Sequence, residues 1–291
     1  MSSVLLLGGT GYIGCSVLVS LRAKYPALAI TALVRNPAHV HAIRATGASV
    51  VEGSLNDAQL VEEQVYAHDV VINAADSEDV KLTEAILRAA RRRSDEGKKK
   101  SVFIHTSGVG LFMDGSREGK FDEGGKVWND AKEDDIKSIS SPMMHAEVDI
   151  AILQAGEEGY VNTYIICPAG VVGPPRGPFQ VGSFFTRNIV QFCIAMKQPT
   201  YVGEGTNEVD IVDLDDTVDL YSAHIGPRAQ DREATHERSI VIADLENPPI
   251  MLFVVAASAR VVADRPKDLG WKARPVNLED YVKADLDIIL Q

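Results

Sequence analysis

Seven residues near the N-terminus constrain this chain more than any others: Gly8-Gly9-Thr10-Gly11-Tyr12-Ile13-Gly14. An unbroken apolar run, Val4 to Leu7, leads into them, and a helical pattern leads out to about Lys24. A strand buried on both faces reads as such a run. The chain therefore opens as strand, tight turn, helix. In the spacing G-x-x-G-x-x-G, Gly8 permits the turn, Gly11 lets the backbone approach a ligand, and Gly14 lets helix and strand pack closely. The helix start adds unpaired N–H groups and the positive end of a dipole. The turn thus predicts a bound dinucleotide, its pyrophosphate against Thr10, Gly11, Tyr12 and Ile13.

The same alternation continues for about a hundred residues. Strands are expected at Leu28 to Val34, Ser49 to Glu52, Val70 to Asn73 and Ser101 to His105. Helices are expected at Ala38 to Ala45, at Asp57 to Val65 with Asp57 as N-cap, and at Val80 to Arg92. Short apolar strands separated by helices make βαβ units and a parallel sheet. The fold class read from this is α/β, a doubly wound parallel Rossmann sheet. Residues 108 to 141 lose periodicity and read as a long loop facing the substrate. Pro142 then suits the first turn of a helix running to about Glu158, followed by a strand from Tyr160 to Cys167. Further helices are expected at Ser183 to Lys197, Leu214 to His224 and Leu278 to Leu290. The domain reading is a nucleotide-binding core over 1–172, and a small C-terminal substrate lobe mainly over 173–291, with segments returning to the core.

Composition narrows the partners. With 41 acidic and 29 Lys+Arg side chains among 291 residues, the formal net charge is −12. That disfavours nucleic acid, whose phosphates need clustered positive charge. Arg91-Arg92-Arg93 and Lys98-Lys99-Lys100 read as a solvated helix end that complements the dipole. The N-terminal apolar run is too short for a signal peptide or a membrane span. Three scattered cysteines, Cys15, Cys167 and Cys193, make neither a disulfide framework nor a thiolate zinc site. The expectation is a cytoplasmic protein with a small-molecule substrate and no membrane partner, as monomer or homodimer. No metal site is expected: His39 and His41 point to different sides of their helix, and Asp213, Asp215 and Asp216 fit helix capping better than a calcium loop.

The end of the second strand bears on which coenzyme is held. An NAD site places Asp or Glu there for the ribose 2′-hydroxyl. Here the chain reads Thr31-Ala32-Leu33-Val34-Arg35-Asn36, with Arg35 where a 2′-phosphate would lie. Its planar fork suits phosphate, so the expected cofactor is NADP(H).

Together these residues resemble the short-chain dehydrogenase/reductase superfamily, in its extended or atypical branch of NAD-dependent epimerase/dehydratase-like and NmrA-like proteins. Gly8 to Gly14 resembles the branch's glycine motif. Gly53-Ser54-Leu55-Asn56-Asp57 is similar to its G-D-L-x-D stretch, with Ser54 replacing an Asp near the adenine. Asn73-Ala74-Ala75 resembles the segment lining the cofactor, and His105-Thr106-Ser107-Gly108 the strand end with the catalytic Ser or Thr. Pro168 to Pro174 is similar to the segment near the nicotinamide. Val202 to Thr206, Val212 to Asp216 and Leu269 to Lys272 match later motifs. The resemblance implies that Gly8, Thr10, Gly11, Tyr12, Ile13, Gly14, Arg35, Ser54, Leu55, Ala74, Ala75, Ser107, His145, Pro168 and Val171 contact the cofactor.

One family feature is missing. The resemblance implies a Tyr-x-x-x-Lys reaction centre on the helix after the long loop, but here Ser141 aligns with the Tyr and His145 with the Lys. A Ser hydroxyl alone is far too weak an acid to replace a phenol. Ser107 and His145 become the candidate catalytic residues, although a one-residue shift would put Gly108 in the Ser position. Three readings stay open. One is an oxidoreductase or epimerase-like enzyme for a small carbonyl or hydroxyl substrate, with a non-standard proton donor. Another is an NADP-sensing regulator without turnover. The third is a non-redox isomerase or cyclase. Ser-His-Asp hydrolysis is disfavoured, since no G-x-S-x-G elbow exists.

Overall fold

The computed structural model describes residues 3–114, 116, 118–225, 240–243, 250–251, 259, 261–268 and 270–290. Leu269, of the motif ending at Lys272, and the first two residues lie outside the described residues.

Strand β1 (Ser3–Leu7) enters the glycine turn, and α1 (Tyr12–Lys24) leaves it. Four strands follow in the first half: β2 (Ala29–Val34), β3 (Ser49–Glu52), β4 (Val70–Asn73) and β5 (Val102–Thr106). Their crossovers contain α2 (Val40–Ala45), α3 (Ala58–Ala67) and α4 (Val80–Asp95). Asp57 and Asp79 cap α3 and α4 by accepting from the N–H groups of Leu60 and Leu82. The expected helix from Ala38 begins instead as a 3-10 turn, Pro37–His39, with Asn36 accepting from Ala38 N–H. Proline and an Asx cap favour that tight start.

With β7 (Asn162–Pro168) and β11 (Ile240–Ala243), the seven described strands of the main sheet are parallel, in the order β11-β7-β5-β4-β1-β2-β3. Strand β11 is one that the sequence reading did not name. Helices α3, α4 and α6 (Ala146–Glu157) pack in succession on one face. On the other, α1 packs against α8 (Leu214–Ala223). The core is dense and aliphatic: Val4, Leu5, Leu6 and Leu7 are fully buried, as are Ile72, Ile86 and Ile104. Covering both faces explains why these strands lack polar alternation.

Residues 108–141 are more ordered than a loop. They hold a 3-10 turn (Val109–Phe112), strand β6 (Trp128–Asn129) paired with β13 (Val261–Val262), and α5 (Glu133–Lys137). Two-residue strands carry no periodic signal, so the sequence could not show them. A further correction concerns α6, which starts at Ala146 rather than Pro142. Met143 N–H bonds back to Ser140 and Ala146 N–H to Met143, so the proline sits in turns ahead of the helix.

Beyond β7, β8 (Gly170–Val172) pairs with β10 (Ile211–Asp213), and β9 (Glu208–Val209) with β12 (Ile250–Met251). Helix α7 (Phe184–Met196) packs against a C-terminal helix, Leu278–Ile289. Buried Asp285 of that helix accepts from Ser183 N–H at 3.1 Å, and Tyr281 donates to Asp213 at 2.7 Å. Asp213 also caps α8 through the N–H groups of Asp215 and Asp216, the role its sequence predicted.

The basic tract is not merely solvated. Arg93 is buried, donating to Asp69 at 2.5 Å and to the carbonyls of Tyr66 and Lys99. Arg91 and Arg92 stack on Tyr160 and Tyr66. These guanidinium groups fasten α4 to its neighbours.

Candidate functional site

Each glycine of the first turn has its own physical reason. Gly8 has φ +87°, and a Cβ there would lie 2.4 Å from the Ala74 carbonyl oxygen. A Cβ on Gly14 would lie 2.2 Å from the Gly8 carbonyl oxygen. Gly11 differs, because its backbone is ordinary (φ −86°) and a Cβ would meet only Gly8 O, at 3.4 Å. Neither fold nor conformation demands glycine at position 11. No side chain caps α1, and its first turn holds no acid. The N–H groups of the first turn and the helix dipole therefore suit an anion. These residues fit a dinucleotide pyrophosphate.

The other expected cofactor residues gather at the same edge of the sheet, the carboxyl ends of β1 to β4. Exposed Arg35 follows β2 directly. Ser54 and Leu55 follow β3, where Ser54 Oγ accepts from Asn56 N–H at 3.2 Å and Leu55 packs on the core. Ala74 N–H bonds to Leu7 O, and Ala75 N–H to the Asn73 side chain. Next to this edge lies a cavity of about 350 Å³. It brings together Tyr12, Ile13, Ser107, His145, Pro168 and Val171. Met113, Met144, Phe184, Phe185 and Ile189 form much of its remaining wall, so it is strongly apolar.

Ser141 is not part of this cavity. It is exposed in the turns before α6, so no helical turn joins it to His145. His145 is the residue preceding α6 and has left-handed backbone, φ 65°. Its ring lies over the 3-10 turn, near enough that a Cβ on Gly110 would be 3.0 Å from Nε2. Its Nδ1 pairs with Glu78. Left-handed backbone costs a non-glycine residue about 1–2 kcal/mol. We expect His145→Gly to relieve that strain and offset the lost ring packing. Thermal unfolding should then stay near wild type while nucleotide affinity drops roughly tenfold, the loss of one good hydrogen bond. Unchanged affinity in a fluorescence titration would remove His145 from the cofactor site.

Behind the cavity lies a buried polar cluster. Ser107 Oγ donates to Asp149 Oδ2 at 2.6 Å. Asp149 and His105 are both fully buried, with Asp149 Oδ1 3.7 Å from His105 Nε2. Asn73 orients the imidazole. Its carbonyl oxygen accepts from Ala75 N–H, so its amide nitrogen must face His105 Nδ1, at 3.2 Å. An amide nitrogen can only donate, hence Nδ1 is bare and the neutral ring carries its proton on Nε2, toward Asp149. Burial pulls the His105 pKa down to about 3, helped by repulsion from His145. Burial pushes the Asp149 carboxyl up to about 7, with Glu78 adding to the rise and the Ser107 bond opposing it. The dipole of α6 favours an anion at this first-turn position, but desolvation outweighs it.

In the sequence His105 and Asn73 stand within longer motifs with no role of their own, and Asp149 belongs to none of them. A signal existed: His105 and Ser107 are two apart along one strand line and share a face. Two nearby phenols are already engaged. Tyr12 donates to the Gly173 carbonyl at 2.6 Å, and Tyr221 shares a 2.6 Å bond with Thr106. Burial raises both their pKa values.

A parallel sheet with a glycine turn and a cavity at its carboxyl edge defines a dinucleotide-binding protein of the doubly wound class. The chain belongs to the NAD(P)H-binding family, whose profile matches residues 8–163. Oxidase ucsJ from Acremonium sp. is 28% identical over 247 residues, 79% of this chain and 68% of that protein. The fold is shared with extended short-chain dehydrogenases of known structure. A dTDP-glucose 4,6-dehydratase from Bacillus anthracis, in complex with NAD, superimposes with TM-score 0.67 at 14% identity, covering 99% of this chain and 96% of that one. A UDP-glucose 4-epimerase from Thermotoga maritima, with UDP-glucose, gives TM-score 0.64 at 16% identity, covering 99% and 98%. No helix among the described residues is long and apolar enough to cross a membrane.

Proposed function

We propose that this protein is an NADP(H)-dependent oxidoreductase acting on a small, largely apolar carbonyl or alcohol. The observation that carries the reading is the cavity itself, which joins the glycine turn (Tyr12, Ile13) to Pro168, Val171 and Ser107. A dinucleotide lying across that edge would bring its hydride-carrying ring to the cavity, with Ser107 at the wall to meet a substrate oxygen. Arg35 supports the phosphorylated form of the coenzyme. The likeness to an oxidase supports redox chemistry over a purely structural use of the fold.

The wall supports the substrate class. Sugar-nucleotide substrates carry a diphosphate and need cations or many donors. This cavity offers thioethers, phenyl rings and branched aliphatics, with His145, Asn188, Ser77 and Ser107 as its polar side chains beside Tyr12, whose hydroxyl is already bonded. A flat or branched apolar skeleton bearing one oxygen fits that lining. Residues 173–291, which supply Phe184, Phe185 and Ile189, would mainly set the specificity.

A nucleotide titration followed by a carbonyl panel tests this reading. NADPH should bind more tightly than NADH, and its absorbance should decay with apolar ketones or aldehydes. Nucleotide sugars should be inert. Tight binding with no turnover across the panel would instead support a nucleotide-sensing regulator.

A further inference from the structure

The geometry points to Ser107 and Asp149 as a two-oxygen proton relay, with the serine hydroxyl meeting the substrate oxygen and the buried carboxyl supplying or storing the proton behind it. This inference rests on the oxidoreductase reading of the cavity.

A serine hydroxyl has one proton to donate and two lone pairs to accept. When Asp149 is ionised, the Ser107 proton is committed to the carboxylate across 2.6 Å. Ser107 then presents a lone pair to the cavity and can take a proton from an alcohol. When Asp149 is protonated, its own proton bonds to Ser107 Oγ, and the serine O–H is free to point at a carbonyl. The state of Asp149 therefore sets the polarity of Ser107.

In carbonyl reduction the coenzyme, when bound, would supply the hydride for the substrate C–H bond. The Ser107 O–H bond breaks as the substrate O–H forms, and the Asp149 O–H breaks as Ser107 regains a proton. Asp149 is left as carboxylate, facing the Nε2–H of His105 at 3.7 Å. It recovers a proton through Ser107 after product leaves. Alcohol oxidation runs the same bonds in reverse.

Among the described residues, four ionisable groups lie around Asp149. His105 lies on β5, Cys167 on β7, Glu78 ahead of α4, and His145 immediately before α6. His105 is held neutral, and buried Cys167 has its thiol pKa pushed well up. Neither competes as the titrating acid. The engaged phenols of Tyr12 and Tyr221 are not free donors. Asp149 acts through Ser107 and is a positioning residue; Ser107 touches the substrate.

Infrared spectroscopy of the unliganded protein tests the relay without any turnover. We expect a protonated-carboxyl C=O band below pH 7 that disappears above it and is absent from Asp149→Asn. A wild type without that band overturns the relay. In turnover assays, reduction should fall tenfold per pH unit above the transition, and oxidation should fall tenfold per unit below it. Asp149→Asn keeps an acceptor for Ser107, so nucleotide affinity should stay within about twofold of wild type. Its rate should drop by roughly 100-fold or more, the size of one acid–base contribution, with both limbs flattened. Ser107→Ala should lose rate equally, and Ser107→Thr should restore the limbs. Limbs that persist in Asp149→Asn overturn the relay. Failure of the nucleotide titration overturns the reading beneath it, whereas turnover in a wild type lacking the band overturns the relay alone.

Discussion

Gly14→Ala should destabilise the fold and abolish tight nucleotide binding together, although alanine is the better helix former by about 1 kcal/mol. Propensity and packing predict opposite signs here, and geometry decides. The added Cβ would sit 2.2 Å from Gly8 O, 2.8 Å from Gly8 C and 3.3 Å from Gly9 N. All three are backbone atoms of the turn, so no side chain can swing away. The helix must back off from β1, at the roughly 1–3 kcal/mol typical of overpacking. That movement would also displace the amides that we propose hold the pyrophosphate. Gly11→Ala is the matched control, because its Cβ meets only Gly8 O at 3.4 Å and its φ of −86° is allowed for alanine. It should melt like wild type and still lose affinity, since the methyl occupies ligand space. Thermal denaturation beside nucleotide titration separates the two. A Gly11→Ala variant with unchanged affinity would refute the pyrophosphate site.

Arg35→Glu should invert the coenzyme preference. Arg35 is exposed immediately after β2, where Gly53 N–H ties the start of the next loop to Val34 O at 3.1 Å. A charge-assisted bond to a 2′-phosphate contributes about 1.5–3 kcal/mol, so NADP(H) should weaken roughly tenfold to a hundredfold. NAD(H), with only a hydroxyl at that place, should change little. Because the side chain is exposed, the difference should shrink as salt is added. Equal losses for both coenzymes would overturn the assignment.

Much of the architecture was legible from local chemistry. Val4 to Leu7 announced a strand covered on both sides, and Asp57 announced a helix start. Where reading failed, a distant contact or a short element was responsible. Pro142 looks like a first-turn proline, but a left-handed His145 stands between it and the helix. The His145 ring sits over residues 108–110 and pairs with Glu78, contacts that the local sequence does not show. Likewise β6 pairs with a segment more than a hundred residues away, and two residues cannot show a period.

The sequence by itself determined the sheet class, the glycine turn and the end of β2, because backbone conformation, caps and burial patterns are written in neighbouring residues. It also determined that a phenol–lysine pair was missing from the expected helix. Only the tertiary structure decided what stands near that gap. Ser107 and Asp149 are 42 positions apart and become hydrogen-bonded because α6 packs on β7, the strand next to β5 in the sheet. The acidity of Asp149 arises from the same packing, which removes water from a carboxyl and leaves it beside a neutral imidazole. Desolvation belongs to the assembled interior, so no spacing of residues along the chain can display it.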